Sequence, residues 1–226
     1  VVVACATLIT EAVPEPENTL RLLQRERVTL FRGWPDQAMR LAAHPSFAST
    51  DLSSLRPASL PAVLPAELRP APGARAVLFG MTETNGPWCG ARLDTDLPAA
   101  ARGSCGRPFD GIELRVVDPE SGAECGPGVA GEFRLRGRTI MRGISGRTRD
   151  EVFDTDGFYP TGDLGVRDEL GYVWYQGRRD DMFKVSGATV YPSEVEAALR
   201  SIPGVSQAHV TNVARPDGAE AVGALV

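Results

Sequence analysis

Residues 111–118, GIELRVVD, and 131–137, GEFRLRG, set an apolar side chain at every second position: Ile112, Leu114 and Val116, then Phe133 and Leu135. That period places those side chains on one face of a strand. Between them PESGAECGPG carries turn chemistry throughout. GFYPTGDLGVRDELGYVWYQGR adds two more strands around Glu169–Leu170–Gly171. The middle third therefore reads as antiparallel, a small barrel or curled sheet.

The flanks read differently. VVVACATLI at the start suggests a buried strand, and PEPENTLRLLQRERV a helix with Leu20, Leu23 and Arg27 on related faces. VTLFRGW reads as a short strand, DQAMRLAAH as a helix with Asp36 as N-cap, and RAVLF (75–79) as a further buried strand. Strand–helix alternation of this kind argues for a parallel α/β layer. From 53 to 73 the chain is rich in proline, leucine and alanine and weakly periodic. Past residue 183 the pattern is strand, helix, strand. Ser193 and Glu196 have capping-box spacing there, and Val195, Ala198 and Leu199 could face a core.

Composition narrows the function classes. The net charge is −5, without the concentrated basic patch that nucleic-acid binding leaves. The longest apolar run is too short to span a bilayer and lacks the basic flank of a signal peptide. The four cysteines, Cys5, Cys89, Cys105 and Cys125, form no C-x-x-C pair. Reduced structural thiols in the cytoplasm are the expectation. His44 and His209 stand alone, as packing or surface residues.

Three stretches carry chemistry. RAVLFGMTET sets Gly80, Met81, Thr82 and Glu83 just past the carboxyl end of an expected strand, the edge at which α/β sheets bind ligands. Glycine lets a ligand approach the backbone, Thr82 offers a hydroxyl to an anionic oxygen, and Glu83 is a hard ligand for Mg²⁺. The plainer alternative is a polar loop closing a strand. In YPTGDLG, Pro160 and Gly162 bracket Thr161 and aim Asp163 from a stiff turn; its carboxylate suits the paired hydroxyls of a ribose, or simply its own turn amides. In GRRDDMFKVSGATVYP, Arg178 is a donor fork for ribose or phosphate oxygens. Lys184 stands between Phe183 and Val185, as a functional lysine or as the wet face of an edge strand.

Taken in order, FGMTE, GEFRLRG, YPTGDLG and GRRDDMFKVSG…YPSEVE resemble the adenylate-forming (AMP-binding) superfamily of acyl-CoA synthetases, carrier-protein adenylation domains and luciferases. The likeness runs from about Val1 to the C-terminus and is strongest to acyl- and aryl-CoA ligases in DDMFKVSGATVYPSEVEAALR. It implies an α/β plus β-barrel architecture. Residues 1–102 would be the end of the α/β part of the large domain, 103–179 its β-rich barrel subdomain, and 180–226 a hinge and truncated α+β C-terminal lid.

The resemblance also implies chemistry. A carboxylic acid, fatty or aryl, would react with ATP and Mg²⁺ to an acyl-adenylate and then pass to CoA. Phe79 and Gly80 would line the adenine and acyl pocket, Thr82 would contact the α-phosphate, and Glu83 would hold the metal. Asp163 and Arg178 would hold the ribose, Asp180 would be the hinge, and Lys184 and Gly187 would enter the site for thioester formation. The acyl chain would pass near Thr84, Asn85 and Gly86. Two rival readings are an adenylation domain or acyl-AMP ligase loading a carrier protein, and a non-catalytic nucleotide- or partner-binding protein. The superfamily's phosphate loop and C-terminal lysine have no counterpart here, and LRPASLPAVLPAEL (55–68) stands where a glycine-rich segment is usual. The chain therefore reads as an internal piece, expected to be inactive alone.

Overall fold

The computed structural model describes residues 5–185, 188–215 and 220–226. The chain divides into two compact units, Val1–Arg75 with Arg92–Pro98, and Ala76–Ala91 with Ala99–Val226.

The first unit is built on two helices, α1 (Pro16–Arg25) and α2 (Pro35–Ala42). Each has proline in its first turn, where the missing N–H costs nothing. Leu20 and Leu23 of α1 meet Ala38 and Leu41 of α2 in an apolar core. The proline-rich stretch is no passive linker: it wraps back and adds Leu55, Leu60, Val63 and Leu64 to that core. Four expectations fail here. Trp34, not Asp36, caps α2, and Arg27 lies beyond α1 with φ of 47°. Residues 5–10 are not in a strand, and Leu8 is 67% exposed. Residues 28–34 are likewise irregular.

No parallel strand pair occurs among the described residues, so the expected parallel layer is not formed. RAVLF is not a buried strand: Val77 is exposed, and pairing begins only at β1 (Phe79–Met81). The physical reason lies just downstream. Asn85 (φ 56°) and Gly86 (φ 119°) reverse the chain, so β1 pairs antiparallel with β2 (Gly86–Gly90), which continues to β3 (Arg107–Pro108). A tight reversal gives a hairpin, whereas a parallel neighbour needs a long crossover.

The expected antiparallel third is a four-stranded meander of β4 (Ile112–Val117), β5 (Gly131–Gly137), β6 (Tyr159–Arg167) and β7 (Val173–Arg178). Leu114 faces Leu135 and Val116 faces Phe133, as alternation requires. With Trp88, Cys89, Ile140, Phe153 and Val173 they form the core of the second unit. Among the described residues the sheet stays open, β4 and β7 being its edges, so it is not a closed barrel.

Beyond β7 come the hairpin β8 (Phe183–Val185) and β9 (Ala188–Val190), helix α3 (Pro192–Arg200), and the hairpin β10 (His209–Ala214) and β11 (Glu220–Leu225). The capping box at Ser193 and Glu196 does not form. Tyr191 is the N-cap; Ser193 Oγ donates to Gln176 O, and Glu196 Oε1 accepts from Val210 N at 3.0 Å. Tertiary partners have taken both groups. Val195 and Leu199 are half-buried and Ala198 is exposed. No described helix is long and apolar enough to cross a membrane.

Candidate nucleotide site

The segment carrying Asp163 is a bulge inside a strand, not the stiff turn its composition suggests. Arg134 pairs with Pro160 and Glu132 with Leu164, so three residues of β6, 161–163, oppose Phe133 alone. Bulges of this kind re-aim side chains and gather beside active sites. Gly162 takes φ of 73°, which glycine adopts without strain. Thr161 pins the bulge: its hydroxyl donates to Phe133 O at 2.8 Å and accepts from Asp163 N at 3.0 Å.

Asp163 is 6% exposed and lies across the ladder from Arg178. Arg178 Nη1 reaches Asp163 Oδ1 at 3.2 Å and Thr161 O at 2.8 Å, while Nη2 reaches Asp180 Oδ2 at 3.3 Å. One guanidinium thus orients the carboxylate, the bulge and the following segment together. Burial pushes the Asp163 carboxyl above the usual aspartate value; Arg178 pulls it back, and the charges of Glu83 and Glu132 add to the rise. Glu83 therefore stands within electrostatic reach of Asp163.

Phe79 joins an aromatic floor, with ring centroids 4.9 Å from Tyr175, 5.5 Å from Trp88 and 6.4 Å from Phe133. Burial raises both Tyr159 and Tyr175, with the charge of Glu83 the next cause for the first and of Asp163 for the second. Gly80 admits no side chain, because a Cβ would overlap Gly86 O and come within 2.5 Å of Pro87 Cα. Thr82–Thr84 form a single 3-10 turn after β1 that leaves Thr82 exposed and Glu83 half-buried.

Thr84 and Asn85 are committed to structure. The buried Thr84 hydroxyl lies 3.1 Å from Met81 N, 2.9 Å from Met81 O and 2.6 Å from Gly86 O. Asn85 Nδ2 donates to Thr139 O at 2.7 Å. Replacing Thr84→Val leaves the Met81 amide and Gly86 carbonyl without that partner. It should cost about 1–2 kcal/mol in chemical denaturation. A loss below about 0.5 kcal/mol would mean the turn holds without the hydroxyl.

The structure thus groups Phe79, Glu83, Asp163 and Arg178, with Asp180 tied to Arg178. Lys184 is engaged elsewhere: its Nζ pairs with Glu120, in the turn between β4 and β5, at 3.2 Å. Gly187 lies outside the described residues. Among those described, no cluster of three or more His, Cys, Asp or Glu is arranged to hold a metal. Sequence reasoning missed Tyr159, Tyr175, Trp88 and above all Glu132. Glu132 looks like an outward polar position in GEFRLRG yet is 3% exposed.

The structure thus holds an oriented carboxylate–guanidinium pair and an aromatic cluster in one unit, and comparison with known proteins gives the family. The model of the AMP-binding enzyme family matches residues 2–145, and the chain belongs to that family. It is 36% identical over 217 residues to a 3-[(3aS,4S,7aS)-7a-methyl-1,5-dioxo-octahydro-1H-inden-4-yl]propanoyl:CoA ligase of Mycobacterium tuberculosis, covering 92% of this chain and 40% of that protein. It is 35% identical over 227 residues to a feruloyl-CoA synthase of Amycolatopsis, covering 97% and 45%. Among solved structures, the amide bond synthetase McbA from Marinactinospora thermotolerans superposes with a TM-score of 0.72 at 30% identity, over 93% of this chain and 44% of that one. The chain spans less than half the length of these relatives.

Proposed function

We propose that the protein acts as an ATP-dependent acyl-CoA synthetase. A carboxylate oxygen attacks the α-phosphorus of ATP and pyrophosphate leaves; the thiol of CoA then attacks the acyl carbonyl and AMP leaves. The observation that carries this reading is the buried Asp163 carboxylate, oriented by Arg178 beside the Phe79 aromatic floor and within reach of Glu83. A ribose offers two vicinal hydroxyls, and an oriented carboxylate accepts both without reorganising.

In this reading Asp163 and Arg178 hold the ribose, Phe79 and Gly80 line the adenine and acyl pocket, and Thr82 contacts the α-phosphate. Glu83 fits Mg²⁺, which takes one or two protein carboxylates beside substrate phosphates and would neutralise their charge. Asp180 is the hinge of a C-terminal lid over 180–226, and Lys184 and Gly187 serve the thioester step after that lid turns. Residues 1–102 and 103–179 are then two successive parts of the large domain, the second its β-rich subdomain. The free thiols suit a reducing, cytoplasmic setting. The names of the CoA ligases above favour a bulky, ring-bearing acid over a plain fatty acid.

The test is carboxylate-dependent pyrophosphate release by the full protein across a panel of aryl and fatty acids, with CoA, a phosphopantetheinylated carrier or an amine as acceptor. Release with at least one acid, followed by thioester formation with CoA, is expected. No release with any acid sinks the reading. Product with the carrier alone would reassign the acceptor to a carrier protein. Product with the amine alone would reassign it to the chemistry that McbA's name describes.

A further inference from the structure

Glu132 is a buried carboxylate of the second unit with no part in the reaction outlined above. It is 3% exposed. Its Oε1 accepts from Gly162 N at 3.2 Å, but its buried Oε2 has no hydrogen-bond partner. Two guanidinium groups stand just outside hydrogen-bonding range of Oε2: Arg134 Nε at 3.7 Å and Arg179 Nη1 at 3.8 Å. Arg134 is fixed, since it shares β5 with Glu132 and pairs with Asp154 at 3.1 Å. Arg179 is different. It opens the short 3-10 turn Arg179–Asp181 after β7, its side chain is 45% exposed, and its neighbour is Asp180.

A buried charge with an unpaired oxygen depends on every nearby cation, because removing one partner strands it. We infer that Glu132 is a positioning residue: it ties the bulge carrying Asp163 to the segment carrying Asp180, with Arg179 as the half of the tie that can leave. The inference rests on the roles of Asp163 and Asp180 proposed above. While Arg179 is in place, the carboxylate is held against the Gly162 amide and the bulge keeps its shape. Arg179 shares one 3-10 turn with Asp180, so backbone rotation at Asp180 unwinds that turn and frees the Arg179 side chain, leaving only Arg134 and Gly162 to hold Glu132. The tie thus favours the arrangement seen here and loosens the ribose-binding bulge in the other.

The test uses the full protein with Arg179→Met, Arg179→Lys and Glu132→Gln. Gln keeps an acceptor for Gly162 while removing the charge. Hydrogen exchange over residues 159–167 should quicken about fivefold in Arg179→Met and Glu132→Gln. It should stay at the wild-type rate in Arg179→Lys, with 112–117 unchanged in all three. In single-turnover assays the ratio of thioester to adenylate formation should shift about fivefold in the same two variants, without an equal fall in both steps. Wild-type exchange in Arg179→Met, or quickening that spreads equally to 112–117, overturns the inference. If the wild type releases no pyrophosphate with any acid, the proposed function fails, and the exchange comparison alone decides the tie.

Discussion

Asp163→Asn should bind ATP about ten- to a hundredfold more weakly, because hydrogen bonds to an ionised group contribute about 1.5–3 kcal/mol. The same change should improve the fold's stability at neutral pH relative to acid pH. The sign follows from linkage. Burial, with Glu83 and Glu132 nearby, raises the folded-state pKa of Asp163 above its unfolded value. Below about pH 4 the side chain is protonated in both states and carries no penalty. As pH rises from there, the unfolded chain ionises first, so stability is lost until pH passes the folded value. Asparagine does not ionise and escapes that loss, and Arg178 keeps Thr161 O and Asp180 as partners. Melting temperatures of both proteins across pH 4–8, with nucleotide titrations at pH 7, check this. An Asn variant that loses more stability at pH 7 than at pH 4 would show that the Arg178 pair outweighs burial. Unchanged ATP affinity would remove Asp163 from the site.

This tension explains why the sequence disclosed some residues and hid others. The register of β4 on β5 was legible because Ile112, Leu114, Val116, Phe133 and Leu135 obey one local period, and burying one face fixes the pairing. Asp163 and Arg178 stood out because they sit in glycine-marked motifs, and the structure pairs them. Glu132 obeys the same alternation, which reads it as solvated. Its burial comes from Gly162 and Arg179, 30 and 47 positions downstream, contacts no local pattern encodes. RAVLF had the composition of a central strand, but the reversal at Asn85 and Gly86, pinned by Thr84, gave it an antiparallel neighbour. Ser193 and Glu196 had the spacing of a cap, and Gln176 O and Val210 N claimed them first. Local pattern was reliable where local partners also won the tertiary competition.

Phe133→Ala should be the most damaging single change to the second unit. The side chain is fully buried, its ring edge-on to Trp88 at 5.7 Å and to Phe79 at 6.4 Å. Truncating such a phenylalanine costs about 3–5 kcal/mol, combining lost burial with the cavity left behind. The cavity would open beneath the Asp163 bulge, since Thr161 bonds to the carbonyl of this same residue. Phe79 would lose an aromatic neighbour, so nucleotide affinity should fall with stability. Gly165 offers the control. A Cβ there would meet both the Phe133 ring and the backbone carbonyl of Trp174, so Gly165→Ala alone should cost about 1–3 kcal/mol by overpacking. In the double variant the methyl can enter the space the ring vacated, but the Trp174 carbonyl still opposes it. The double loss should therefore be smaller than the sum of the single losses without returning to wild type. Chemical denaturation of all four proteins measures this. Strict additivity would mean that Phe133 and Gly165 do not share one packing site, and a Phe133→Ala loss below about 1 kcal/mol would place the structural centre elsewhere.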